Sequence, residues 1–240
     1  MARAAFLPSS LAGAAATNVI YLGAAHCRRK FELFYPDGFE DETYLVAERA
    51  YKERAHLEWE AELAPATFRK QLARGEFRAI ADAAVRIESR ANLLFSFERM
   101  ALRDAVKTPA GARLFATELY AFLYGHGSLQ RRFSDWVEAL ADLPQRKSKV
   151  LTWPVATVFG FIARPDRHMF FKPRAMRKAA HLYGYALGFH ALPSWAQYQD
   201  LMTFAAVVRR DLDRKSGFKA RDMIDLQSFI WVQGAQEYEP

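Results

Sequence analysis

Apolar side chains recur at spacings of three and four residues along almost the whole chain, and this periodicity most constrains the fold. In the segment 41–63, Tyr44, Tyr51 and Trp59 fall on one face of a helix. The chain has only 12 glycines and 10 prolines, which is too few turn residues for a sandwich of many short strands. The sequence therefore predicts an all-α fold.

Proline, glycine and capping residues divide this pattern into about ten helices. The predicted helices span residues 9–31, 41–63, 65–73, 76–106 (one helix or two joined ones), 109–124, 128–140, 152–163, 173–183, 193–214 and 222–232. A length of 240 residues with 51% hydrophobic content fits one large globular domain or two small ones. We expect a single helical domain over 1–240 and, if it has two lobes, a division into 1–143 and 144–240.

The first 25 residues are alanine-rich and mostly apolar, with Arg3 in front. Polar residues interrupt this run and no clean cleavage site follows, so we expect a buried helix capped by Ser9 or Ser10 rather than a signal peptide. No stretch reaches the ~18 uninterrupted apolar residues of a membrane span. A single cysteine, Cys27, excludes an internal disulfide framework and favours a reducing compartment. These features predict a cytoplasmic protein without a membrane partner.

The basic excess of the chain is confined to one segment. The net charge of +7 comes from 34 basic and 27 acidic residues. Nine basic residues and one acid, Asp166, lie within 144–178, so this segment carries +8 and the remainder carries −1. Concentrated positive charge with interleaved aromatic residues is typical of nucleic-acid binding, although a solvated basic face is the simpler alternative. The residues expected to contact DNA are Lys149, Arg164, Arg167, His168, Arg174, Arg177 and Lys178.

One stretch of this segment resembles a known enzyme family. Residues 149–173 read KVLTWPVATVFGFIARPDRHMFFKP, which is an apolar helix, a Pro-Asp turn and a short segment before the next helix. This order is similar to the catalytic neighbourhood of helix-hairpin-helix DNA glycosylases, where a Leu-Pro-Gly-type hairpin precedes the apolar helix. The resemblance implies a glycosylase-like helical bundle that excises a modified or damaged base from DNA. It extends to antiphage glycosylases that remove modified bases.

The sequence departs from the family pattern at three places. Gln-Arg-Lys follows Leu143-Pro144, where the family has hairpin glycines. Trp153 lies near the position of the lysine nucleophile of the bifunctional members, and Lys172 stands where the catalytic aspartate would fall. The family motif therefore does not identify the catalytic groups of this chain.

Hydrolysis of an N-glycosidic bond needs a pocket for an extruded base and a carboxylate or amine near C1′. Lys172 is the first candidate, because flanking Phe171 and Pro173 would desolvate the amine and lower its pKa; a phosphate contact is the alternative. Asp222 and Asp225 are the candidate acids, and a helix N-cap is the alternative role for Asp222. The residues expected to bind the base are Phe170, Phe171, Gln227, Trp153 and Tyr51.

A second candidate face comprises Glu48, Tyr51, Lys52 and His56, which share one side of the 41–63 helix. A surface ion pair between Glu48 and Lys52 is the simpler interpretation. The six histidines show no metal-ligand spacing, so no metal or other cofactor is predicted. The rival functional classes are a non-catalytic nucleic-acid-binding module and a helical scaffold for an acidic protein partner.

Overall fold

The structure, a computed structural model, describes residues 21–144, 149–215 and 218–239. Within these residues it contains eleven helices and no strands, which confirms the all-α prediction. The predicted caps Ser9 and Ser10 and the three residues that follow Leu143-Pro144 lie outside the described residues. A glycosylase-like arrangement of the helices stays a prediction.

The helices are numbered in chain order. Helix α1 spans Ala24–Phe34, and α2 joins Glu42–Tyr44, a π-helical turn over Leu45–Arg49, and Ala50–Leu63. The others are α3 (Pro65–Ala73), α4 (Phe77–Ala91), α5 (Ser96–Ala105), α6 (Pro109–Tyr124), α7 (Leu129–Asp142), α8 (Trp153–Ala163), α9 (Pro173–Tyr183), α10 (Trp195–Asp213) and α11 (Met223–Gly234). None of these helices is long and apolar enough to cross a membrane.

Local signals account for most of these boundaries. The Thr152 hydroxyl accepts a hydrogen bond from the Val155 N–H and caps α8, and Pro173 occupies the first turn of α9, where no N–H partner is needed. The predicted segment 76–106 is two helices, because Asn92 adopts a left-handed conformation with φ of 54° and ends α4. Asparagine tolerates this conformation better than most residues, so it serves as a helix stop.

Helix α8 is the centre of the molecule, since all eleven of its residues are buried. It packs against α2, α4, α6 and α7. Buried residues from the segments before and after Pro144 belong to one continuous core. The two-lobe division stays a prediction.

Helices α9 and α11 pack closely along their lengths. Gly234 makes this contact possible, because a Cβ atom there would lie 1.9 Å from the carbonyl oxygen of Ala175. The pairing places the basic residues of α9 on the outer surface of the core.

Candidate functional site

A groove of about 650 Å³ lies between the exposed side of α9 and the loop that follows it. Its basic residues recur at helical spacing along α9, so one face of the helix presents them together. They are Arg174, Arg177, Lys178 and His181. Pro173 and the loop residues Tyr185, Ala186, Leu187 and Phe189 complete the wall. We call this feature the α9 groove.

Two cations of the α9 groove form no ion pair with a described residue, and the ion pair of the third is exposed to solvent. The Arg177 guanidinium lies 4.6 Å from the centroid of the Phe189 ring, and Phe189 is 40% exposed. Lys178 forms an ion pair with Glu239, whereas neither Arg174 nor Arg177 forms one with any described residue. The groove therefore combines free positive charge with an open aromatic ring.

Side chains of α10 hold the groove loop in place. Asp200 accepts hydrogen bonds from the Tyr185 hydroxyl at 2.7 Å and from the Gly188 N–H at 3.0 Å. The Gln197 side chain accepts from the His190 N–H at 2.5 Å and donates to the Gly188 carbonyl. Phe189 thus sits between two anchored residues, so its ring is presented by a fixed backbone.

The other predicted DNA-binding cations do not join this groove. Arg164 and Arg167 both pair with Asp166 in the turn after α8, and Lys149 is exposed before α8 begins. The Asp166 turn and the start of α9 lie at opposite ends of α11. The Pro165 carbonyl accepts a hydrogen bond from the Met223 N–H at the start of α11, whereas Ala175 near the start of α9 packs against Gly234 at the end of α11. The 12 residues of that helix span about 17 Å. Arg164 and Arg167 therefore form a basic group separate from the α9 groove.

His168 is buried rather than exposed, with 2% of its surface accessible. Its Nδ1 lies 2.9 Å from the Tyr198 hydroxyl oxygen. Burial, together with nearby Arg132 and Arg164, lowers the pKa of His168 to about 3. The ring is therefore neutral and inaccessible, and the prediction that it contacts phosphate is wrong.

Lys172 occupies a box of aromatic rings just before α9. Its Nζ lies 4.0 Å from the ring centroid of Phe95, 5.9 Å from that of Phe170 and 5.8 Å from that of Trp231. Burial lowers the pKa of the Lys172 amine, and the charges of Glu98 and Glu88 oppose this effect. The expected desolvation is present, but Phe95 and Trp231 cause it from distant parts of the chain.

The other predicted base-binding aromatics near Lys172 are buried. The Trp153 indole N–H donates to the His190 carbonyl at 2.8 Å, and its ring packs edge-on against Phe171 with centroids 4.9 Å apart. Trp153 therefore supports the groove loop at His190, and neither ring belongs to the lining of the α9 groove. Phe170 is also buried, with one side toward the Lys172 amine.

The candidate acids belong to a buried polar cluster at the start of α11. Asp222 caps α11 by accepting from the Ile224 N–H at 2.9 Å, and it pairs with Arg49 at 2.9 Å. Asp225 has no exposed surface and accepts from the Tyr44 hydroxyl at 2.5 Å, from Arg49 and from Arg221. Both carboxylates are fully engaged, so we do not carry them into the candidate site.

The geometry of α11 also separates these acids from Lys172. The amine meets Trp231 near the end of that helix, six residues beyond Asp225 and nine beyond Asp222. These intervals correspond to about 9 to 14 Å along the axis. Lys172 therefore meets the far end of α11 and lies away from both candidate acids.

A second buried cluster contains the face predicted from Glu48 and Lys52. The Lys52 Nζ lies 2.7 Å from Glu48 Oε2 and 2.7 Å from the Ser228 hydroxyl, and the Tyr238 hydroxyl donates to Glu48 at 2.6 Å. Lys52 is 2% exposed and Glu48 is 4% exposed, so the surface ion pair interpretation is wrong. The cluster ties α2 to α11 beside the π-helical turn.

The remaining residues of that face also serve the interior. His56 Nδ1 lies 2.9 Å from the Ile162 carbonyl oxygen, and Tyr51 is half-buried, which raises the pKa of its hydroxyl. Gln227 is buried on α11 and its Oε1 accepts no hydrogen bond from the described residues. None of these three residues belongs to the lining of the α9 groove.

No known protein family, curated protein or solved structure shows a significant match to the chain. The described residues contain no cluster of three or more histidine, cysteine or acidic side chains that could hold a metal ion. Cys27 is buried, which raises the pKa of its thiol to about 11.

Proposed function

We propose that this protein binds DNA through the α9 groove. The observation that carries the proposal is the single helix face that aligns Arg174, Arg177, Lys178 and His181 beside the exposed ring of Phe189. Cations along a groove attract the phosphate backbone, and an open aromatic ring offers a surface for bases. We also propose a cytoplasmic location. The free thiol of Cys27 is compatible with a reducing compartment such as the cytoplasm.

Removal of the groove charge tests the proposal. We expect the triple variant R174A/R177A/K178A to bind a labelled oligonucleotide at least about tenfold more weakly than the wild type, because three phosphate contacts are lost. The matched control R54A/R69A/K70A removes three exposed cations outside the groove and should leave affinity unchanged. Equal affinities of wild type and groove variant, or no binding by either, would favour a scaffold for an acidic protein partner instead.

A second candidate is a base-excision enzyme that acts on a modified base in the bound DNA. The observation that favours it is the Lys172 amine, which is partly desolvated and lies among three aromatic rings directly before the groove helix. A lowered pKa leaves more of an amine unprotonated and nucleophilic near neutral pH. Such an amine can add to the C1′ aldehyde of an abasic sugar and lose water to form an imine.

Reductive trapping tests this candidate. Borohydride reduces an imine to a stable amine, so wild-type protein should form a covalent complex with abasic DNA, and modified phage DNA should acquire alkali-labile sites. The variant K172R keeps the positive charge and should form no complex, whereas K70A removes an exposed lysine outside both the α9 groove and the aromatic box and should still be trapped. Equal trapping of wild type and K172R would exclude Lys172 as the nucleophile and leave the binding proposal standing.

A further inference from the structure

We infer that the α9 groove takes a single DNA strand, with one unpaired base stacked on Phe189. This inference rests on the proposed function and adds the strand state of the ligand. Phe189 is 40% exposed and lies on a loop whose backbone is anchored at both neighbouring residues.

The position of Phe189 suits an unpaired base. In a duplex each base is stacked between its neighbours and paired at its edge, so neither face is free for a protein ring. In a single strand the bases can splay apart and stack on aromatic side chains. The groove volume of about 650 Å³ lies within the range of about 300 to 1,000 Å³ that is usual for small-ligand pockets. That volume accommodates one nucleotide.

The charges of the groove are arranged for the backbone of the same strand. Arg177 lies 4.6 Å from the Phe189 centroid, so a phosphate that it binds is next to any base on that ring. Arg174 lies one helical turn before Arg177, and His181 lies one turn after it. A strand that follows α9 therefore meets Arg174 and Arg177 on successive turns and the His181 ring on the next, while its base enters the groove beside the helix.

The two anchors from α10 strengthen this assignment. Gln197 and Asp200 fix the backbone on both sides of Phe189, so little conformational freedom remains to be lost when a base stacks there. Tyr185 and Leu187 form the inner wall on the same loop. A stacked base would thus meet a loop whose backbone is already anchored.

The test compares single- and double-stranded forms of one labelled DNA sequence at fixed salt. We expect the single strand to bind the wild type at least about tenfold more tightly than the duplex. F189A should weaken single-strand binding by about 5- to 150-fold, which corresponds to the loss of one base–aromatic stack. The matched control F97A removes another exposed aromatic ring, outside the groove, and should change neither affinity.

A second variant reports on the stack itself. F189W retains an aromatic ring, so it should bind the single strand as well as the wild type, and its added indole fluorescence should fall on binding of the single strand. Equal or tighter duplex binding, or wild-type affinity in F189A, would overturn the single-strand inference while the proposed DNA binding stands. No binding of either form would overturn the proposed function instead.

Discussion

At the residue scale, Asp225 shows how a buried charge is retained in this fold. Burial alone would raise its pKa, but hydrogen bonds from Arg221 and Tyr44 and the charge of Arg49 outweigh it, so the pKa is lowered. Removal of one partner from a buried ion pair is costly, because the other charge stays buried without compensation. The cluster therefore locks α2 to the start of α11.

We expect Asp225→Asn to lower the free energy of unfolding by about 3 to 5 kcal/mol in urea titrations at neutral pH. Asp142→Asn changes an exposed carboxylate and should alter stability by less than about 0.5 kcal/mol. A loss below about 1 kcal/mol in the first variant would contradict the structural role of the cluster.

The same residue predicts an acid dependence of stability. Because the folded pKa lies below the unfolded value of about 3.9, the contribution of Asp225 is fully present above about pH 4 and is lost as the pH falls through the folded pKa. The wild type should therefore lose stability more steeply than Asp225→Asn as the pH falls from about 4 toward 2. If the free energy of unfolding fell equally with pH in the two proteins, the pKa of Asp225 would be the same in the folded and unfolded states.

At the element scale, the groove loop depends on α10. Gln197 contacts the loop backbone at Gly188 and His190, and neither contact involves the exposed surface of the groove. An effect of Gln197 on DNA affinity would therefore be transmitted through the position of the loop.

We expect Gln197→Ala to weaken DNA binding by about tenfold and to speed amide hydrogen exchange over residues 186–190, since two hydrogen bonds of about 1 kcal/mol each are lost. Gln199→Ala, at an exposed position of the same helix, should change neither measurement. Faster exchange without a loss of affinity would mean that binding does not require an anchored loop.

At the scale of the whole molecule, the helices were predictable because their signals are local. Pro65, Pro109 and Pro173 each open a helix, and the heptad-like spacing of apolar residues identifies the buried faces. The position of Asn92 decides between one helix and two over 76–106, and its left-handed conformation depends on tertiary packing as well as on residue type.

The site was predictable only in part, because it joins distant segments. The cations of α9 are visible in the charge distribution, and the alternative role of Asp222 as a helix cap is the one observed. Phe95 and Trp231 reach Lys172 from 77 and 59 residues away, respectively, and no sequence spacing indicates these contacts. His168 was misplaced because a histidine in a basic turn has no local signal for burial.

The central claim is that α9 contacts the DNA backbone, and the salt dependence of affinity tests it most directly. Each phosphate contact to a single strand contributes about 0.7 to the slope of log affinity against log salt concentration. The slope for R174A/R177A/K178A should therefore be about 2 smaller than that of the wild type, while R54A/R69A/K70A keeps the wild-type slope. Identical slopes for all three proteins would contradict the account.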